Sequence, residues 1–180
     1  MQIKLTKTAK DLMANGIKDP ANPEQYASFI PFKGTPASAG FDIRACIDEP
    51  KQIVFGETLL VPCGFHLHIK DPNLVGLVYI RSSVGTKLGL TLANSVGVID
   101  SDYQDEWMLA IKNTHDCIRT IVPAQRLAQV VFTPVVHPRF YHVESFTEGS
   151  KRVGGFGSTD KNIWENSPFN LVNDGKEYGG

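Results

Sequence analysis

Cysteine is scarce and scattered. Cys46, Cys63 and Cys117 lie far apart, with no CxxC pair. An odd, dispersed set is poor material for a disulfide framework or a zinc site, and it reads as reduced thiols in a cytoplasmic compartment. Excess charge of one sign is also missing: Lys and Arg number 18, Asp and Glu 19, for a net charge of -1. No basic surplus exists to hold a nucleic-acid backbone by bulk electrostatics. No apolar run approaches the roughly 18 residues that a membrane span needs. The opening Met1-Gln2-Ile3-Lys4 lacks the apolar core of a signal peptide. What is present is 180 residues, 42% hydrophobic and 21% charged. That is enough for one core and ordinary for a folded chain.

Sixteen glycines and 11 prolines are spread along the sequence, as expected for short strands joined by tight turns. Ile3 and Leu5 alternate with Lys4 and Thr6. Residues 10–38 read as irregular, punctuated by Asn15-Gly16, Asp19-Pro20, Asn22-Pro23 and Gly34-Thr35-Pro36, with room for one short helix near Lys10–Asn15. From Phe41 the pattern is that of strands. Ile53–Val61 is apolar and ends at Pro62. Phe65, Leu67 and Ile69 point one way, and His66, His68 and Lys70 the other. Leu74–Ile80 is nearly continuous and apolar, followed by Trp107–Ile111, Arg119–Val122, Leu127–Thr133 and Phe140–Val143. The pattern predicts an all-β sandwich, jelly roll or barrel over residues 1–148. A glycine-rich, polar stretch at 149–180 reads as a mobile arm and tail.

Several features carry no chemistry on their own. His66 and His68 share a strand face, but no third ligand is recognisable nearby. Gly85-Thr86-Lys87 resembles the end of a P-loop, yet Ile80 stands where the earlier glycine belongs. Asp100, Asp102, Asp105 and Glu106 lack calcium-loop spacing and suit a solvated turn.

Other residues carry more. Arg81, Ser82 and Ser83 follow a buried strand, so an arginine and two hydroxyls sit at a rigid end where they can hold phosphate oxygens. Gly85 lets the backbone approach closely. Asp100 offers a carboxylate able to take a proton from water.

Five segments occur in one order: Ala39–Ile43, Arg81–Gly85, Asn94–Tyr103, Arg126–Gln129 and Gly154–Thr159. Together they resemble the five motifs of the trimeric dUTPase family, over roughly residues 36–160. The resemblance implies a jelly-roll-like β-sandwich or distorted barrel. It implies hydrolysis of dUTP to dUMP and pyrophosphate, which limits uracil in DNA and supplies dUMP for dTMP synthesis. It also implies Mg²⁺ on the triphosphate and a homotrimer with sites at subunit interfaces.

By the same resemblance, Arg81, Ser82, Ser83 and Gly85 hold the α- and β-phosphates, and Asp100 is the general base. Asn94, with backbone near Gly97, Val98, Ile99 and Met108, reads uracil, and Tyr103 lies under the deoxyribose. Asp42 contacts metal-bound water only, Gln129 is a site residue and Arg126 is structural. In the arm, Phe156 and Gly157 close over the base, and Ser158 and Thr159 donate to the γ-phosphate. Four positions depart from the family pattern. Lys151 stands where an arginine is usual, with Arg152 beside it, so either holds the γ-phosphate. Asp105 replaces a glycine, Ile80 a proline and Ala124 a glycine. Two rivals remain: a dCTP deaminase or bifunctional deaminase–dUTPase of the same fold, and a nucleotide-responsive protein-binding module using 10–36 and 161–180.

Overall fold

The computed structural model describes residues 1–146 and 149. Contacts divide the chain after Pro138, and every strand and helix described precedes that point. In chain order these are β1 (Gln2–Leu5), α1 (Lys7–Ala14), β2 (Lys18–Asp19), β3 (Asn22–Tyr26), β4 (Phe41–Arg44), β5 (Lys51–Ile53) and β6 (Thr58–His68). Then come β7 (Leu74–Ile80), α2 (Ser82–Leu88), β8 (Leu90–Leu92), β9 (Gly97–Ile99), β10 (Glu106–Asn113), β11 (Arg119–Ile121) and β12 (Arg126–Pro134).

Two antiparallel four-stranded sheets dominate, ordered β1-β6-β10-β8 and β4-β12-β7-β9. Their inward residues form one cluster: Phe65, Trp107, Leu109 and Ile111 from the first sheet, and Ile43, Val78, Leu127 and Val130 from the second. This is the expected all-β sandwich. The cause is legible on β10, where Trp107, Leu109, Ile111 and Asn113 are buried while Met108 and Lys112 are exposed, a strict period of two. Phe65 and Trp107 pack with ring centroids 5.2 Å apart. Each aromatic of this kind buries about 150–250 Å², roughly 4–6 kcal/mol of gross transfer free energy at ~25 cal/mol per Å². Asn113 is the polar exception in this core. Its amide donates to the carbonyls of Ile53 and Cys117, and its oxygen accepts from the His115 N–H, so burial leaves nothing unpaired.

The structure departs from the sequence expectation in four places. Pro62 does not end a strand; β6 runs through it. The β6–β10 register shifts between Glu106↔His66 and Met108↔Pro62, so the proline lies beside a bulge, where a missing N–H is tolerated. Residues 10–38 are not wholly irregular: the short helix allowed near Lys10–Asn15 forms, starting three residues earlier than expected. Helix α1 starts at Lys7, capped by Thr6, whose hydroxyl accepts from the Ala9 N–H at 3.2 Å. The β2–β3 hairpin follows it. No strand forms at Phe140–Val143. A seven-residue helix, α2, begins directly after Arg81.

Gly64 sits inside the β6 bulge with φ +81°, and a Cβ there would lie 2.6 Å from the Cys46 Sγ. The strand backbone and the buried thiol leave no direction of escape. Gly64→Ala is therefore expected to cost about 2–4 kcal/mol, combining left-handed strain with overpacking. Denaturant unfolding checks this, and an unchanged midpoint would refute the steric account. Cys46, Cys63 and Cys117 are free thiols. Burial pushes Cys46 up to about 11 and raises Cys63 as well, so neither is a ready nucleophile.

Candidate active site

The basic cleft is built where β7 stops. Arg81 is the next residue; its N–H donates to the Leu127 carbonyl at 3.0 Å, tying it to β12. The Arg81 Nε lies 3.1 Å from one oxygen of Asp42, and the Arg126 Nη1 lies 3.5 Å from the other. A bulge in β12 between Arg126 and Ala128 explains how Arg126 reaches this face. Leu127 and Ala128 are both buried in the core, whereas Arg126 and Gln129 are both partly exposed. Plain alternation would have sent Leu127 outward; the extra residue re-aims the arginine. Gln129 is paired with Asp42 across the strands. Gly40 makes room for it, because a Cβ there would collide with the Gln129 amide. Arg81, Ser83, Lys87 and Arg126 line a cleft of about 450 Å³, with Asp19 on its wall. Ser82 is exposed and Gly85 half-buried on the same helix. Several fixed cations against few carboxylates suit a polyanion.

Arg44 stands opposite Arg126 in the β4–β12 register, two like charges facing each other. Asp19 resolves the conflict. Its Oδ2 lies 2.8 Å from the Arg44 Nη2 and 3.8 Å from the Arg126 Nη2. The Arg44 guanidinium holds the Asp19 carboxyl below its ordinary value, against the opposing effect of burial. Its stabilising contribution is in place above the ordinary aspartate range and is lost as pH falls through the lowered value.

A second, smaller pocket lies away from the cleft. It measures about 130 Å³ and brings together Asn94, Gly97, Val98, Ile99 and Met108. Its lining shares no residue with that of the basic cleft. Gly97 allows the approach of β9 to β7: a Cβ there would meet the Val78 Cβ at 3.1 Å. On this side β10 pairs with β8 only from Ile111 onward, so among the described residues the edge at Trp107–Leu109 has no strand partner. Backbone donors and acceptors so left are what a planar, hydrogen-bonding ring requires.

Asp100 follows β9 directly. With Asp102, Val98, His68 and Lys70 it lines an open cleft of about 710 Å³. Tyr103 is exposed at the turn, and its hydroxyl donates to the Glu106 carbonyl at 3.2 Å. It lines neither the basic cleft nor the small pocket. The register Gly76↔Ile99 places Asp100 beside Val75, at the far end of β7 from Arg81. Six residues at ~3.3 Å each put about 20 Å between them. Lys151, Arg152, Phe156, Gly157, Ser158 and Thr159 lie outside the described residues.

For a metal, the fit is to a hard cation carried mainly by water and ligand phosphates. Asp42 offers carboxylate oxygens at the cleft, but two guanidinium groups already face it. Among the described residues, the group of three metal-ligating side chains close enough to share an ion is His115, Asp116 and Cys117, exposed on the loop after β10. Among the described residues no all-protein cage stands at the cleft, a situation compatible with Mg²⁺, which keeps several waters and favours ligand phosphates.

Sequence reasoning assigns no role to two charged cleft residues, Lys87 and Asp19. Lys87 was findable: it is four residues from Ser83, on the same face of a helix. Arg126 was noticed and expected to be structural, yet it lines the cleft. Asp19 gave no signal beyond an Asp-Pro turn.

A family model described as dUTPase matches residues 27–160. The deoxyuridine 5'-triphosphate nucleotidohydrolase of Sodalis glossinidius is 47% identical over 132 residues, covering 73% of this chain and 87% of that protein. The enzyme of the same name from Cronobacter sakazakii is 43% identical over 145 residues, covering 81% and 94%. Among solved structures, the dUTPase of Streptococcus mutans superposes with a TM-score of 0.61 at 25% identity, over 78% of this chain and 100% of that one. The Staphylococcus bacteriophage 80alpha dUTPase with dUPNHPP gives 0.68 at 25% identity, over 87% and 96%. The matched span holds the basic cleft's Arg81 and Arg126, the small pocket and Asp100, and the chain belongs to the dUTPase family.

Proposed function

We propose that this chain hydrolyses dUTP to dUMP and pyrophosphate, as an intracellular homotrimer whose sites lie between copies. The carrying observation is the separation along β7. A general base must come within hydrogen-bond reach of the reacting water, and a phosphate clamp must touch the same nucleotide. About 20 Å along one strand argues against Arg81 and Asp100 of one chain serving one α-phosphate. A closed ring of copies brings the Arg81 end of one against the Asp100 end of another.

In each such site Arg81, Ser82, Ser83 and Gly85 hold the α- and β-phosphates, with Gln129 alongside. Asn94 and the open β10 edge near Met108 read the uracil. A ring presenting the wrong donors leaves buried groups unpaired, which is a stronger filter than size. Asp100 takes the proton from the water that attacks the α-phosphorus in line, and pyrophosphate leaves. Asp42 would be the residue that holds Mg²⁺, through water, and the ion would supply neutralisation of the triphosphate charge. Lys151 or Arg152, Phe156, Gly157, Ser158 and Thr159 close the site over base and γ-phosphate.

The deciding assay offers dUTP, dCTP, dTTP and UTP with Mg²⁺ and follows pyrophosphate and ammonia. Pyrophosphate from dUTP alone is expected; ammonia from dCTP would make the chain a deaminase instead. Sugar selectivity follows from Tyr103. Its hydroxyl is held by the Glu106 carbonyl, and in the proposed site its ring lies under the deoxyribose where a 2′-hydroxyl would otherwise sit. Tyr103→Ala should cut the preference for dUTP over UTP by about tenfold or more, the worth of one lost close contact. Equal discrimination in the variant and the parent would remove Tyr103 from the sugar site.

A further inference from the structure

We propose that the β2–β3 hairpin is a wall of the triphosphate cleft and that Asp19 is the positioning residue that holds Arg126 on it. The inference rests on reading the basic cleft as the triphosphate site. Asp19, Pro20 and Ala21 line that cleft directly opposite in kind to its cations: one carboxylate and two small apolar residues. The hairpin ends at Tyr26, so none of it lies within the family match at 27–160.

The Asp19 carboxylate is fixed at both oxygens. Oδ2 accepts from the Arg44 Nη2 at 2.8 Å, and Oδ1 accepts from the Ala21 N–H at 2.9 Å. Arg44 is held in turn by donating to the Ala124 carbonyl at 2.8 Å. Arg126 therefore meets an anchored charge whose best acceptor positions are taken. It stands 3.8 Å from Asp19 and 3.5 Å from Asp42, longer than the Arg44 pair in both cases, and its buried Nε has no hydrogen-bond partner. Two carboxylates thus hold the guanidinium by charge, between them, without closing a two-pronged pair on either. The Arg126 Nη1 makes only a long bond to Asp42, at 3.5 Å, so the Nη groups keep N–H bonds to offer a phosphate. With the Asp19 charge removed, Asp42 alone attracts Arg126. The pair would close, withdrawing an arginine from the phosphates.

The test is a double-mutant cycle on the full chain: Asp19→Asn, Arg126→Gln and both together. KM and kcat for dUTP are measured with Mg²⁺, and calorimetry gives the affinity for a non-hydrolysable dUTP analogue. Asparagine keeps an acceptor for Arg44, so the hairpin stays seated. Each single change is expected to raise KM and weaken analogue binding by about tenfold, with the double variant no worse than Arg126→Gln, the signature of coupled residues. The loss falls on KM more than on kcat, because ground-state and transition-state contacts to the phosphates are lost together. A purely structural Asp19 would lower the unfolding midpoint and leave KM alone, which overturns the proposal; so would additive losses. Ala21→Glu, an exposed change that needs no repacking, tests the wall itself: a new carboxylate there should raise KM by about tenfold through repulsion of triphosphate. An unchanged KM would show that the hairpin does not border the nucleotide. A parent protein without dUTP turnover would fell the functional reading and this one with it. An active parent whose KM ignores all these changes would fell this one alone.

Discussion

Replacing Asp100 with asparagine is expected to slow turnover by about 10²–10⁴-fold, the usual range for a positioned general base, or roughly 3–5 kcal/mol of transition-state stabilisation. Asparagine keeps the size and polarity of the side chain but takes no proton at neutral pH. The loss should fall on kcat and spare the affinity for a non-hydrolysable analogue, because Arg81, the serines and Asn94 are untouched. Asp102 lines the same open cleft and is the control. A crippling Asp102→Asn beside a mild Asp100→Asn would move the base to the other carboxylate. Two mild variants would place water activation elsewhere and leave the turn as a base-reading element only.

The second large effect is a gain. Arg81→Ala and Asp100→Asn chains should each be nearly inert alone, yet active when assembled together. A site that draws Arg81 from one copy and Asp100 from another is intact when the first is an Asp100→Asn chain and the second an Arg81→Ala chain. Random mixing in equal amounts makes about one site in four complete in a closed ring, so about a quarter of the parental rate should return. The measurement is turnover after co-expression, with the doubly substituted chain mixed with parent as the control. Mixed assemblies that stay inert would put both residues in one chain's site and overturn the reading of β7.

Much of the fold was legible because burial imposes a period. Trp107–Ile111 alternates without exception, and β7 is apolar where Val75 and Val78 enter the core. The failures have local causes. Pro62 looked like a stop because a bulge cannot be read from hydropathy. Phe140–Val143 has strand-like residues but no partner strand among those described. Helix α2 was missed because seven residues with a glycine inside carry little helical signal.

The site divides in the same way. Arg81, Ser82, Ser83, Asn94 and Asp100 stood out because their types and order are informative, and the structure sorts them into cleft, pocket and turn. Arg126 was underrated because its direction depends on one extra residue in β12. Asp19 was invisible because its meaning lies 25 positions away, at Arg44.

β7 also constrains how this chain can change over time. Its side chains can be exchanged for others of similar bulk at modest cost. Its residue count cannot vary freely. One inserted residue would move Arg81 about 3.3 Å from the β9 anchor and turn every following side chain to the opposite face. By the proposed assembly that error would recur in all copies together, with no intact neighbour to compensate. Composition in this strand can therefore change at modest cost, whereas a change in its length would break the register that positions Arg81.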